Sequence, residues 1–178
     1  MATLTIGVTG HRALDPEKEQ KIRPVLGRAM SEIIAGKKTG DASASFRALS
    51  ALAEGADILF AEVAREMGIH LTVILPFQKE EYLKTFSTDE KRDKFNKMYD
   101  AVDDKTYLRE YNESQINDLY LNVGTEMVDR SDYVVAIWNE KAAKGRGGTA
   151  EVVAYALERG KTVIVINPEE DHPFAKYL

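Results

Sequence analysis

The sequence predicts an α/β fold of the Rossmann-like, three-layer αβα kind, with a mostly parallel, doubly wound sheet and a helical insertion. Three observations predict it. Short β-rich runs alternate with helical patterns along the chain, the order that builds βαβ units with right-handed crossovers. The strands read as near-continuous apolar runs, as strands do when helices cover both faces of their sheet. Small and polar residues gather just after those runs, where connections leave a sheet.

Leu4-Thr5-Ile6-Gly7-Val8 is the first strand and ends at Thr9-Gly10-His11-Arg12. Asp15-Pro16-Glu17 then supplies an N-cap, a proline at the first helical position and a first-turn acid. Ile22, Val25, Leu26, Ala29, Met30 and Ile33 follow at helical spacing, with Gly36 as the end. Pro24 inside this pattern predicts a kink or a later start. Residues Ser45 to Ser50 form a second strand, and Ala56, Leu59, Phe60, Val63, Ala64 and Met67 a helical stripe that stops at Gly68. His70 to Leu75 is a third strand, closed by Pro76. Tyr133 to Trp138 and Thr162 to Ile166 are two stronger strands, joined by a helix from Glu151 to Arg159. Gln78 to Ser114 is rich in charge and aromatics, and reads as a helical insertion or lid beside the sheet edge. Two surface helices bridging the flanking strands are the plain alternative. Neither a linker nor a repeat divides the 178 residues, so one domain is expected.

Composition narrows the function. A formal net charge of -5 advertises no basic face for DNA or RNA, so no nucleic-acid partner is expected. Small anions remain open, since backbone N–H groups bind them without net positive charge. There are no cysteines, hence no disulfide, thiolate metal site or cysteine nucleophile. His70 and His172 are scattered, and no carboxylate–histidine cluster has ligand spacing, so no metal or other cofactor is expected. The start carries no signal-peptide pattern and no apolar run approaches the ~20 residues of a membrane helix. A cytoplasmic protein without a membrane partner is expected.

Ligands of open α/β sheets sit beyond the carboxyl ends of the strands. Thr9 to Arg12, Ser50 to Asp57, Pro76-Phe77 and Asn139 to Glu151 leave strands at that edge, whereas Asp132 precedes its strand and is set aside. In Gly145-Arg146-Gly147-Gly148-Thr149-Ala150-Glu151 a glycine-rich turn opens a helix. Gly145, Gly147 and Gly148 let backbone approach a phosphate, Thr149 adds a hydroxyl, and the helix start adds free N–H groups. A flexible connection with a threonine cap is the bland alternative. Arg12 suits a phosphate clamp opposite that loop, with Thr9, Gly10 and His11 beside it. Ser50, Glu54 and Gly55 are placed for a sugar or phosphate, and Asp57 for charging its helix start. Glu151 either stabilises the helix dipole or meets ribose hydroxyls or a glycosidic centre. Gly36-Lys37-Lys38-Thr39 imitates a Walker loop, but Ser31 and Lys38 stand where glycine and a hydroxyl are needed.

Gly7-Val8-Thr9-Gly10-His11-Arg12, Leu52-Ala53-Glu54-Gly55-Ala56-Asp57, Ile74-Leu75-Pro76-Phe77, Ser131-Asp132 and Gly147-Gly148-Thr149-Ala150-Glu151, in that order, resemble the SLOG superfamily. That group joins the Lonely Guy proteins and the DNA-processing Smf proteins, and the resemblance runs from the first strand to Pro168. It implies a Rossmann-like fold that binds a nucleotide or nucleotide-derived small molecule, in some bacterial branches as a sensor, and it favours homo-oligomers. The Lonely Guy branch, which cleaves base from nucleoside monophosphates, carries Pro-Gly-Gly-x-Gly-Thr-x-x-Glu. Here the proline is missing, Glu151 follows Thr149 by two residues, and the branch's Arg-Lys pair falls near Val123-Gly124. Ligand binding is therefore the leading expectation. Hydrolysis of an N-glycosidic bond (or deoxyribosyl transfer), with Glu151 in the catalytic role, is the alternative; a ligand-free interaction module is the third.

Overall fold

Alternate residues of the central strands feed two different cores. Ile6, Val8, Val135, Ile137, Ile164 and Ile166 belong to one apolar cluster, while Val134, Ala136, Val163 and Val165 belong to another. Side chains of successive strand residues point to opposite faces, so an unbroken apolar run serves both layers at once. The computed structural model describes residues 3–40, 43–102, 104–142 and 146–178.

The sheet has seven strands in the order β4-β3-β2-β1-β5-β6-β7. They are β1 (Thr3–Gly10), β2 (Ser45–Ser50), β3 (His70–Leu75), β4 (Lys105–Tyr107), β5 (Tyr133–Ile137), β6 (Thr162–Ile166) and β7 (Ala175–Tyr177). All neighbours are parallel except β6 and β7. Helices α1 (Pro16–Gly40) and α2 (Ala56–Glu66) pack on one face, with α3 (Lys79–Leu83) and α4 (Asp89–Asp100) following β3. Helices α5 (Ile116–Asp129) and α6 (Thr149–Glu158) pack against each other and against β1. The expected α/β Rossmann-like, mostly parallel sheet is what forms. Among the described residues no helix is long and apolar enough to cross a membrane.

Three details differ from the sequence expectation. Helix α1 is continuous through Pro24 and runs past Gly36 to Gly40. Pro24 and Gln20, whose carbonyl loses its helical partner, are both exposed, so water can satisfy that carbonyl. Burial of Ile22, Val25, Leu26, Ala29 and Met30 outweighs the local penalty. Gly36 lowers helix propensity by only about 1 kcal/mol, too little to stop a packed helix.

The stretch 78–114 holds α3 and α4 but also the edge strand β4, so it is more than a helical insertion. Its aromatic residues Tyr82, Phe86 and Phe95 are buried and stack edge-to-face with one another and with Phe77. Strands β4 and β7 lie outside the sequence expectation. Each is three residues long and partly exposed, and pairing with a neighbour rather than an apolar run creates it.

Asp132, set aside as structural, accepts a hydrogen bond from Thr5 N at 2.8 Å and donates its own N–H to Thr5 O. It ties the amino-terminal end of β5 to β1, away from the ligand edge.

Candidate functional site

Strand β1 sits where the chain reverses direction across the sheet. Strands β2, β3 and β4 are added on one side of it, then β5, β6 and β7 on the other. Connections leaving the carboxyl ends of β1 and β5 therefore part, and a crevice opens between them. A cavity of about 790 Å³ occupies that place. Its wall includes Thr9 and Gly10 at the end of β1, His11 and Arg12 after it, Trp138 and Asn139 after β5, and Gly147, Gly148 and Thr149 at the start of α6. Ser50, Glu54, Gly55 and Glu151 are not part of the wall. Gly145 lies outside the described residues.

The β1 exit is held by close backbone packing. A Cβ on Gly10 would fall 2.4 Å from Ala56 Cβ and 2.8 Å from Ile137 O. His11 donates its N–H to Ile137 O at 3.0 Å and accepts from Ala56 N at 3.1 Å through its carbonyl. Its ring Nε2 accepts from Asn139 N at 3.1 Å, which joins the ends of β1 and β5 across the crevice. Gly55 has φ of 83°, and a Cβ there would lie 2.4 Å from Arg12 O. These glycines permit contact between chain segments, which is a packing role.

Arg12 is engaged away from the glycine loop. Its fork donates to Thr85 O at 3.0 Å and Thr85 Oγ1 at 3.2 Å, and the guanidinium lies 5.7 Å from the centre of the Phe86 ring. Nε is 3.8 Å from Glu54 Oε1 and, among the described residues, is buried without a hydrogen-bond partner.

Glu54 fastens the segment after α3. It accepts from Ser87 N at 3.1 Å and Ser87 Oγ at 3.0 Å, and lies 3.6 Å from Lys91 Nζ. Burial pushes its carboxyl up, but the Ser87 hydrogen bonds, Arg12 and Lys91 outweigh this and hold it below its ordinary value. Its contribution to stability is thus present above the usual carboxylate range and fades as pH falls through the lowered folded value. Glu54→Gln is expected to weaken folding near neutral pH by about 1–3 kcal/mol. Urea unfolding would measure the loss, and faster hydrogen exchange at Ser87 would locate it.

The turn into α6 is shaped by α5. Gly147 has φ of 79°, and a Cβ on it would approach Asn117 O to 2.9 Å and Leu121 N to 3.0 Å. Glu151 Oε2 accepts from Gly147 N at 2.7 Å, so one N–H of the loop is already bound to a carboxylate. Gly148 is the N-cap and gives no side-chain bond; its carbonyl accepts from Glu151 N at 3.0 Å, which leaves the N–H groups of Thr149 and Ala150 without an intrahelical acceptor. Arg146 pairs with Asp118 at 3.0 Å, and both line a second, polar cavity of about 350 Å³ with Arg109 and Asn122.

Ser50 is fully buried, donating to Asp57 O at 3.1 Å and accepting from Leu52 N at 3.0 Å, so its hydroxyl holds the β2–α2 turn. The residue that sequence reasoning undervalues is Asp57. It lines the cavity although only 7% exposed, and its carboxyl is held by the backbone N–H of Ala53, at a long 3.4 Å, and that of Ala51. Burial pushes its carboxyl up to about 7, against the opposing pull of the backbone N–H groups and Arg12. The available signal is a carboxylate inside Ala-Asp-Ile-Leu-Phe-Ala, an otherwise apolar run. Tyr82, Tyr120 and Val123 also line the cavity and carry no sequence signal that singles them out. Where the Lonely Guy branch would bring its Arg-Lys pair, a Cβ on Gly124 would come within 2.5 Å of Val152 Cγ2, so no arginine fits there undisturbed. Among the described residues no group of three or more His, Asp or Glu could hold a metal ion.

No protein-family pattern matches the chain, and no curated protein matches it in sequence. Solved structures do match in fold. DNA processing protein A (DprA) from Streptococcus pneumoniae aligns with a TM-score of 0.62 and 15% identity, over 92% of this chain and 50% of that one. DprA from Helicobacter pylori, solved for its single-stranded DNA binding mode, aligns at 0.58 and 16% over 91% and 64%. TM1055, a structural-genomics target, aligns at 0.51 and 16% over 90% and 72%. The chain thus spans about half to two thirds of the DprA proteins it matches.

The Helicobacter pylori protein corrects one expectation. A protein of this fold binds single-stranded DNA, so the acidic total is no ground for excluding a nucleic-acid partner. Contact with phosphates depends on local cations, and Lys18, Lys141 and Arg146 all line this cavity despite the net charge of -5, Lys18 paired with Glu169 and Arg146 with Asp118. At the level of fold the resemblance holds: the chain has the Rossmann-like α/β architecture that it shares with DprA and TM1055.

Proposed function

We propose that the chain binds a nucleotide or nucleotide-derived small molecule in the cavity between the ends of β1 and β5. One observation carries this reading: a cavity of about 790 Å³ at the sheet's reversal point, with the start of α6 in its wall. That volume is within the range of small-molecule sites, and helix starts favour anions. Phosphate is assigned to the N–H groups of Thr149 and Ala150 and to the Thr149 hydroxyl, with Lys141 and Arg146 in the same wall. Arg12 is not assigned to it, because Thr85 holds its fork.

Binding without cleavage is preferred over N-glycosidic hydrolysis. The Glu151 carboxylate is held by Gly147 N and does not line the cavity, so the proposed catalytic acid lacks access to a ligand there.

A thermal-shift panel of nucleoside mono- and diphosphates, ADP-ribose and a short single-stranded oligonucleotide tests the reading. A ligand at 100 times its dissociation constant is expected to stabilise the fold by about 2.7 kcal/mol. Absence of any shift across the panel at millimolar concentration would remove the proposal, and a shift with the oligonucleotide alone would replace the ligand class.

A further inference from the structure

The cavity has two unlike poles. At the exposed pole stand Lys141 and Arg146, with the glycine turn behind them. At the buried pole stand Ala51, Val123 and Met127, with the half-buried Tyr120 beside them. Asp57 belongs to the wall of this same cavity at only 7% exposure, and its carboxyl is held only by backbone N–H groups of its own turn, Ala53 N at a long 3.4 Å among them. A buried carboxyl in a cavity wall with no salt bridge or side-chain hydrogen bond among the described residues points to a ligand that completes it.

We propose that Asp57 reads the edge of the ligand's heterocyclic base at the buried pole of the cavity. This rests on the nucleotide reading above and adds which end of the ligand goes where. Phosphate is unsuited to the buried pole, where it would meet a carboxyl group in a poorly solvated place. Ribose carries hydroxyls around its ring and would leave several of them facing Ala51, Val123 and Met127. A base has two apolar faces and one polar edge. Its faces suit those side chains and the Tyr120 ring, and its edge offers a donor to the Asp57 carboxyl.

Titration calorimetry separates this role from a structural one. The four common ribonucleoside 5′-monophosphates and ribose 5-phosphate are measured against wild type and Asp57→Asn at one pH. The expected result is a loss of roughly tenfold or more in affinity for the best-bound monophosphate in the variant, with ribose 5-phosphate unchanged. Equal losses for both probes, or no loss for either, overturn the base-reading role while leaving nucleotide binding in place. If no monophosphate binds wild type, the nucleotide reading falls and this inference with it. Should the variant fail to fold, wild type alone decides: monophosphates binding no tighter than ribose 5-phosphate would mean that no base is held.

Discussion

Asp57→Asn is expected to make the ligand-free protein more stable at about pH 8, on the order of 4 kcal/mol by linkage, and to gain nothing near pH 4. The folded-state pKa of Asp57 is raised by burial from 3.8 to about 7. Between those values the folded state keeps a proton that the unfolded state releases. Stability therefore falls as pH rises from the unfolded value to the folded one, and above about pH 7 the full penalty of an ionised buried carboxylate is present. Asparagine removes the charge at nearly the same volume and can still accept from Ala53 N. Other titrating groups cancel when the two proteins are compared at each pH. Urea midpoints from about pH 5 to 8.5 would show the gap widening with pH. Parallel profiles would mean that Asp57 ionises as it does in the unfolded chain. A residue that destabilises the free fold yet stays in a cavity wall is the pattern of a binding group.

Gly55→Ala is expected to lower stability by about 3–5 kcal/mol, a large part of what a domain of this size possesses. Two effects combine. Alanine at φ of 83° meets the left-handed penalty, and its Cβ would lie 2.4 Å from Arg12 O and 2.6 Å from His11 O. Both obstacles are backbone, and neither can rotate away. Gly68→Ala separates the two effects, because Gly68 has φ of 70° and a Cβ there would meet nothing within 4 Å. That variant is expected to lose only about 1 kcal/mol, the conformational part. Similar losses in the two variants, measured by urea unfolding, would show that the β1 exit yields to the added methyl. Because Gly55 seats the start of α2 against the His11–Arg12 backbone, its replacement should also disturb the cavity wall.

Strands β3 and β6 are legible in the sequence to the residue, and β1 and β5 nearly so, because each is mostly a run of apolar residues covered on both sides, and β2 is legible to the residue although only its second half is buried. Helix α2 is legible from its apolar stripe at helical spacing, with Gly68 at its end in the left-handed region. The edge strands β4 and β7 are not, since Lys105-Thr106-Tyr107 and Ala175-Lys176-Tyr177 carry no pattern that separates them from loop. In the site, the segments beyond β1 and before α6 are legible by position. What their side chains do is not: Arg12, placed to act as a free clamp, is taken up by Thr85 across 73 residues of chain. Ser50, placed to meet a ligand, closes its own turn.

By itself the sequence determined the layered α/β fold and the edge of the sheet at which a ligand would sit, because both follow from local periodicity and from where glycine and small polar residues fall. Tertiary structure alone decided which polar groups are free. Packing between distant segments brings Asp57 to the cavity and Thr85 to Arg12, and a side chain's availability depends on partners that sequence distance conceals. Hydrophobic pattern is a property of neighbours along the chain, whereas desolvation and hydrogen-bond competition are properties of neighbours in space.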